Sequence, residues 1–318
     1  MAGYALCPVD PSATTQAIDQ LAASLSGISI DQLTTLSGPS SSPNSLTLSA
    51  FIPMVVGTSL CAASAAAINQ WLEAPYDAQM ARTRNRPLPK RAMSPLHAAS
   101  FATLAGTVGI GTLATLNPLT ALIGAGTIVL YAPFYTITKR HTIYNTWIGA
   151  VVGALPPLIG WAACTGDISP VTQPGAWAVP LLMFFWQFPH FNALAFTLRS
   201  SYASSGYRML AVLDPAKNAL VSLRYAVAMV PLTVAMPAVG LTSWLFAWLA
   251  MVPNGLMVWT AVRFWQRREE RRAKELFWAS LVHLPVFLGI AMLTKSGLWG
   301  SDEEEQEAEV EAGEAKMV

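Results

Sequence analysis

Eight apolar stretches follow one another along the chain, over 47–70, 97–116, 119–137, 143–163, 176–197, 224–241, 244–262 and 276–294. Each is near the roughly 20 residues that a helix needs to cross a bilayer. From Ala92 to Thr138 there is no Asp, Glu, Lys or Arg, which is too long for one crossing, and Asn117-Pro118 supplies a turn between two. A second polar break, from Gly166-Asp167 to Pro174-Gly175, divides the next pair. The pattern predicts an all-α polytopic membrane protein with eight spanning helices.

Composition agrees. Of 318 residues, 53% are hydrophobic and 12% charged, against about 25% charged in soluble domains. The net charge of +1 says little about partners, among which no nucleic acid is expected; the placement of charge says more. Of 19 Lys and Arg, 17 lie in 71–96, 138–142, 198–224 and 263–275, and only Lys295 and Lys316 fall on the other side. Basic loops face the cytoplasm or its organellar equivalent, so the topology has a sign. The chain divides into a segment 1–45, Ser/Thr/Pro-rich and without Lys or Arg, a transmembrane domain over 46–295, and an acidic tail over 296–318 predicted to be disordered. A basic presequence is absent from 1–45. Cys7, Cys61 and Cys164 have neither metal-ligand spacing nor the even count of a disulfide framework. There is no P-loop, Gly-rich dinucleotide fingerprint or nucleophile elbow. Gly149-Ala-Val-Val-Gly153 fits a small-residue helix-packing face.

The chemistry gathers in the basic loops. Asn69, Glu73 and Asp77 recur every four residues and so share one helix face. Mg²⁺ prefers oxygen ligands and is usually held by one or two carboxylates plus substrate phosphates. Arg82, Arg84 and Arg86 follow and suit phosphate oxygens. The plainer reading is a helix end with topology signals, yet a polar Asn69 near the membrane is costly unless satisfied. Pro75 is read as interrupting the helix beside this cluster. Downstream come Tyr135, Lys139 and Arg140, the last two equally readable as topology residues. Trp186, Gln187, His190, Phe191 and Asn192 crowd around Pro189, and Tyr202 and Tyr207 sit in the next loop. A lone helical His is more often satisfied by a neighbour than catalytic, but this crowding favours function. The run from Phe264 to Lys274 reads as a solvated charged loop.

The stretch Asn69-Gln-Trp-x-Glu73-x-Pro-x-Asp77 through Arg86-Pro-Leu closely resembles the first motif of the UbiA superfamily of membrane prenyltransferases. Asn145 to Trp161 and Trp186-Gln-Phe-Pro-His-Phe-Asn-Ala-Leu194 are similar to the protohaem IX farnesyltransferase family within it, in its mitochondrial form. The resemblance runs from about Met54 to Leu293, with a fragment at 1–8. It implies a UbiA-type bundle of nine helices, of which this chain would carry eight, Met1-Ala-Gly-Tyr-Ala-Leu being the remnant of the first; the chain is expected to be truncated at its N-terminus and to lack its presequence. It implies farnesyl transfer from farnesyl diphosphate to a vinyl group of haem B, with Mg²⁺ on Asn69, Glu73 and Asp77. Arg82, Arg84, Arg86, Lys139 and Arg140 would meet the diphosphate, with Tyr135, Trp186, Gln187, Phe191, Tyr202 and Tyr207 on the substrates and His190 catalytic together with Asn69, Glu73 and Asp77. It implies a place in the mitochondrial inner membrane with the site facing the matrix, and the downstream haem A synthase as a partner. Two departures stand out: Glu73 where many bacterial relatives carry Asp, and Ser200-Ser201 where an acidic residue is usual before the tyrosine, with Asp214 a weak substitute. Other readings are a UbiA-type enzyme with another aromatic acceptor, a non-catalytic haem-binding protein, or a transporter. Against transport stand the absence of inverted repeats and the gathering of polar residues at one surface.

Overall fold

A computed structural model describes residues 2–7 and 48–297. A short helix α1 (Ala2–Ala5) precedes α2 (Leu48–Asp77), α3 (Pro95–Ala114) and α4 (Pro118–Val129). α4 runs through a π-helical turn, Leu130–Tyr135, into α5 (Thr136–His141) without a break. Then come α6 (Asn145–Thr165), a 3₁₀ turn at Pro174–Trp177, α7 (Ala178–Thr197), α8 (Arg199–Ser204), α9 (Leu210–Leu213), α10 (Pro215–Ala238), α11 (Trp244–Gln266) and α12 (Glu270–Leu293). The described residues form no strand, only an isolated bridge between Thr242 and Lys295. The expectations for the loop after residue 7 and for the acidic tail lie outside the described residues.

The predicted spans all fall on helices. Seven, counting 118–141 as one, are long and apolar enough to cross a membrane. The eighth, α7, is a 20-residue helix but carries Gln187, Pro189, His190 and Asn192, which dilute its apolar character. Aliphatic and aromatic side chains such as Leu104, Trp248, Val252 and Trp278 stand exposed around the outside, as a lipid-facing surface requires. The core between helices is packed by Trp161, Phe188, Phe246, Phe264 and Phe287.

Helix ends differ from the expected loops. Pro75 does not interrupt α2, which runs on to Asp77. A proline two residues from a helix end forfeits one hydrogen bond, and the turn at Ala78 follows at once. The charged run after Phe264 is mostly helix, with only Arg267–Glu269 between α11 and α12. Pairs one turn apart hold the start of α12: Lys274 to Glu270 at 2.7 Å and Arg271 to Glu275 at 3.3 Å. Hydropathy marks where a helix leaves the membrane and is silent on where it stops.

At the turn expected over Asn117-Pro118, Asn117 caps α4, its Oδ1 accepting from Thr120 N at 2.9 Å while its Nδ2 donates to Ala162 O at 2.8 Å. α1 lies against α6 at unusually close range: a Cβ on Gly3 would sit 2.0 Å from Pro157 O.

Candidate active site

The last two turns of α2 place Asn69, Glu73 and Asp77 on one buried face, with 5%, 5% and 2% of each residue exposed. Buried polar groups need partners, and α5 supplies two. Asn69 Nδ2 donates to Thr136 Oγ1 at 2.8 Å, and Lys139 Nζ pairs with Glu73 Oε1 at 2.7 Å. Thr136 in turn donates to Tyr131 O at 3.1 Å, across the π-helical turn. Such turns often occur at functional sites; here it includes both Tyr131 and Tyr135.

Asp77 is met from its own side of the chain. Arg86 Nη1 lies 2.6 Å from Asp77 Oδ2, and the intervening turns are pinned by Thr83 Oγ1 donating to Asp77 O at 3.0 Å. The segment after α7 closes over the site through its backbone. Arg208 N donates to Lys139 O at 2.9 Å, and Asn145 Nδ2 to Arg208 O at 3.2 Å. This sets Tyr202 and Tyr207 against one another and Tyr207 against Tyr76, at ring separations of 6.0 and 6.3 Å.

These side chains enclose a cavity of about 190 Å³ lined by Asn69, Glu73, Asp77, Arg82, Arg86, Lys139, Tyr131, Tyr135, Tyr202, Tyr207 and Phe191, among others. Its wall holds two carboxylates against three cations, an excess of one positive charge. Burial pushes the Tyr202 hydroxyl up, with Arg82 and Lys139 partly offsetting it, and burial does the same to Tyr207. Both stay protonated at neutral pH and can donate to an anion.

A second cavity, of about 340 Å³, adjoins the first and shares Tyr131, Tyr135 and Phe191 with it. Its remaining wall is α6 (Thr146, Gly149, Ala150, Val152, Gly153) and α7 (Met183, Trp186, Gln187, His190). No Asp, Glu, Lys or Arg lines it. The two glycines admit Tyr135 and Gln187 rather than packing against a neighbouring helix backbone. A Cβ on Gly149 would lie 2.8 Å from Tyr135 Cε2, and one on Gly153 2.1 Å from Gln187 Oε1.

The first cavity thus gathers Asn69, Glu73, Asp77, Arg82, Arg86, Tyr135, Lys139, Phe191, Tyr202 and Tyr207, and the second adds Trp186, Gln187 and His190. Two expected contacts are not brought in. Arg84 is exposed and lines neither cavity. Arg140 stacks on the Tyr76 ring at 4.0 Å and donates to its hydroxyl at 2.5 Å, outside both cavities. Asp214 is no substitute acid; it is exposed and caps α10, its Oδ1 accepting from Lys217 N at 2.8 Å. Sequence reasoning missed Met80, Thr83, Tyr131, Leu194 and Met209. Of these Tyr131 was detectable, one helical turn before Tyr135.

The donor set suits a hard divalent cation. Among the described residues no three His, Cys, Asp or Glu converge on one point; two carboxylates and an amide, all on one helix face, line the same cavity. That is an incomplete shell for a bare ion and a natural one for an ion shared with phosphate oxygens.

Fold and site together define a class: an all-helical polytopic membrane protein with a cation-rimmed polar pocket beside an apolar chamber, at the end of the bundle carrying the basic loops. The chain belongs to the UbiA prenyltransferase family, which its residues 33–284 match. It is 43% identical over 84% of its length to the mitochondrial protoheme IX farnesyltransferase of Yarrowia lipolytica, covering 59% of that relative. To the protein of the same name in Homo sapiens it is 40% identical over 85% of its length, covering 60%. The chain thus spans about three fifths of those relatives. In fold it is similar to a UbiA homologue from Aeropyrum pernix K1, with TM-score 0.63, 21% identity, and coverage of 79% of this chain and 90% of that one. It is also similar to a homologue from Archaeoglobus fulgidus solved with DMAPP and Mg²⁺, with TM-score 0.52, 13% identity, and coverage of 79% and 90%.

Proposed function

We propose that the protein transfers the farnesyl group of farnesyl diphosphate to a vinyl group of haem B, giving haem O. The observation that carries this is the pair of adjoining cavities with a common wall of Tyr131, Tyr135 and Phe191: one is shaped and charged for a diphosphate, the other apolar. The names of the relatives at 40–43% identity supply the acceptor.

In this reading Asn69, Glu73 and Asp77 hold Mg²⁺, which when bound neutralises charge on the diphosphate. Arg82, Arg86 and Lys139 donate charge-assisted hydrogen bonds to its oxygens as the C–O bond breaks. Tyr202 and Tyr207 donate from the opposite wall. The departing diphosphate takes the electron pair and leaves an allylic cation. Tyr131, Tyr135 and Phe191 line that boundary, where their aromatic rings stabilise the cation. The vinyl carbon attacks, a new C–C bond forms, and water captures the resulting cation, losing one proton to give the hydroxyethyl group. The apolar walls keep other water from the farnesyl cation.

The prenyltransferase domain is 46–295 on this proposal. Its setting is the mitochondrial inner membrane, with the basic, site-bearing end toward the matrix and a haem A-forming enzyme downstream. The test is made in membranes containing this chain, supplied with haem B, Mg²⁺ and farnesyl diphosphate, by mass analysis of the haem. Haem O is expected. Well-inserted protein that prenylates another aromatic acceptor and never haem B would overturn the assignment.

A further inference from the structure

His190 Nδ1 lies 2.8 Å from Ser280 Oγ on α12. The Ser280 hydroxyl hydrogen is already committed, donated to Phe277 O at 2.6 Å. A hydroxyl has one hydrogen, so Ser280 Oγ accepts here and the imidazole hydrogen sits on Nδ1. That leaves Nε2 of the neutral ring with a bare lone pair. Nε2 has no hydrogen-bond partner among the described residues, and His190 lines the apolar cavity. The ring cannot easily turn away. It is stacked between Trp186 at 4.4 Å and Phe277 at 4.9 Å, and Trp186 is itself anchored by Nε1 donating to Ser280 O at 2.9 Å. One residue, Ser280, therefore fixes both the imidazole and the indole that covers it.

A neutral imidazole whose second nitrogen is held by an outer partner is the arrangement of metal-ligating histidines. Imidazole suits iron, whereas Mg²⁺ prefers oxygen. We propose that Ser280 is a positioning residue that sets the His190 tautomer, and that His190 Nε2 ligates the iron of the tetrapyrrole acceptor. This rests on haem as the acceptor. Ligation would fix the plane of the macrocycle beside the wall shared with the diphosphate cavity, and so select which edge meets the allylic carbon.

The test uses this chain in lipid nanodiscs, titrated with ferric haem B and separately with metal-free protoporphyrin IX. The wild type is expected to give the absorption and EPR signature of imidazole-ligated iron. His190→Gly should lose that signature, regain it with added imidazole, and bind metal-free porphyrin as the wild type does, which shows that it is folded. Ser280→Ala should bind haem roughly tenfold more weakly, with Ser280→Thr near wild type and porphyrin binding unchanged in both. An unchanged haem spectrum in His190→Gly overturns the iron assignment, even where the wild type makes haem O. Unchanged haem affinity in Ser280→Ala overturns the positioning role. A wild type that transfers prenyl groups but binds neither tetrapyrrole overturns the haem reading itself, and this inference with it.

Discussion

Lys139 Nζ lies 2.7 Å from Glu73 Oε1 although 66 residues separate them, and the two side chains are only 11% and 7% exposed. Removing one partner of a buried pair strands the other charge, at a cost of roughly 3–5 kcal/mol. Lys139→Met should therefore lower the melting temperature of the detergent-solubilised protein in the presence of a chelator. Mg²⁺ alone, without diphosphate, should restore more of the loss than it adds to the wild type, since an unpaired Glu73 is a better cation ligand. Equal Mg²⁺-induced shifts in the two proteins would show that Glu73 does not meet the metal.

Asp77 has the same position one turn on, with Arg86 as its partner. Asp77→Ala should cut turnover by about 10²–10³, the typical loss when one preorganised electrostatic group is removed. Insertion and folding should survive, because the turn after α2 is held by the Asp77 carbonyl, which the substitution keeps. Near-wild-type turnover by a well-folded variant would rule out the metal role.

The arginines separate the cavity from its surroundings. Arg86 lines the polar cavity and Arg84 is exposed beside it. Loss of a charge-assisted hydrogen bond costs about 1.5–3 kcal/mol, so Arg86→Gln should weaken farnesyl diphosphate binding by roughly 10–100-fold. Arg84→Gln should stay within about 0.5 kcal/mol of wild type. Steady-state KM values for both variants decide it; equal losses would mean that the turn closes differently around the diphosphate.

That contrast shows where the sequence stops. The spacing of Asn69, Glu73 and Asp77 was legible because one helix periodicity puts them together. Their partners were not: Thr136 and Lys139 arrive from another helix, and only packing brings α5 beside α2. Hydropathy located the seven helices long and apolar enough to span but not the charged ends of α10 and α12, which extend as helix outside the apolar run. Trp186, Gln187 and His190 could be grouped by proximity in sequence, yet Ser280, which aligns two of them, lies 90 residues from His190 and carries no local signal.

The glycines of α6 offer a test of which substrate each cavity takes. An added methyl at Gly153 would meet Gln187 Oε1 at 2.1 Å, and Gln187 Nε2 now donates to Ala150 O at 3.0 Å and Met183 O at 2.9 Å. A flexible side chain yields before a helix does, so in Gly153→Ala the amide leaves those carbonyls and turns toward the apolar cavity. The helix itself gains roughly 0.5–1 kcal/mol of propensity, so the protein should fold. The expected result is a raised KM for the tetrapyrrole acceptor and an unchanged KM for farnesyl diphosphate. Gly149→Ala instead meets Tyr135 at 2.8 Å, and Tyr135 belongs to both cavities, so both constants should rise. If Gly153→Ala raised the constant for farnesyl diphosphate alone, the apolar cavity would belong to the prenyl chain and the macrocycle would have to enter elsewhere.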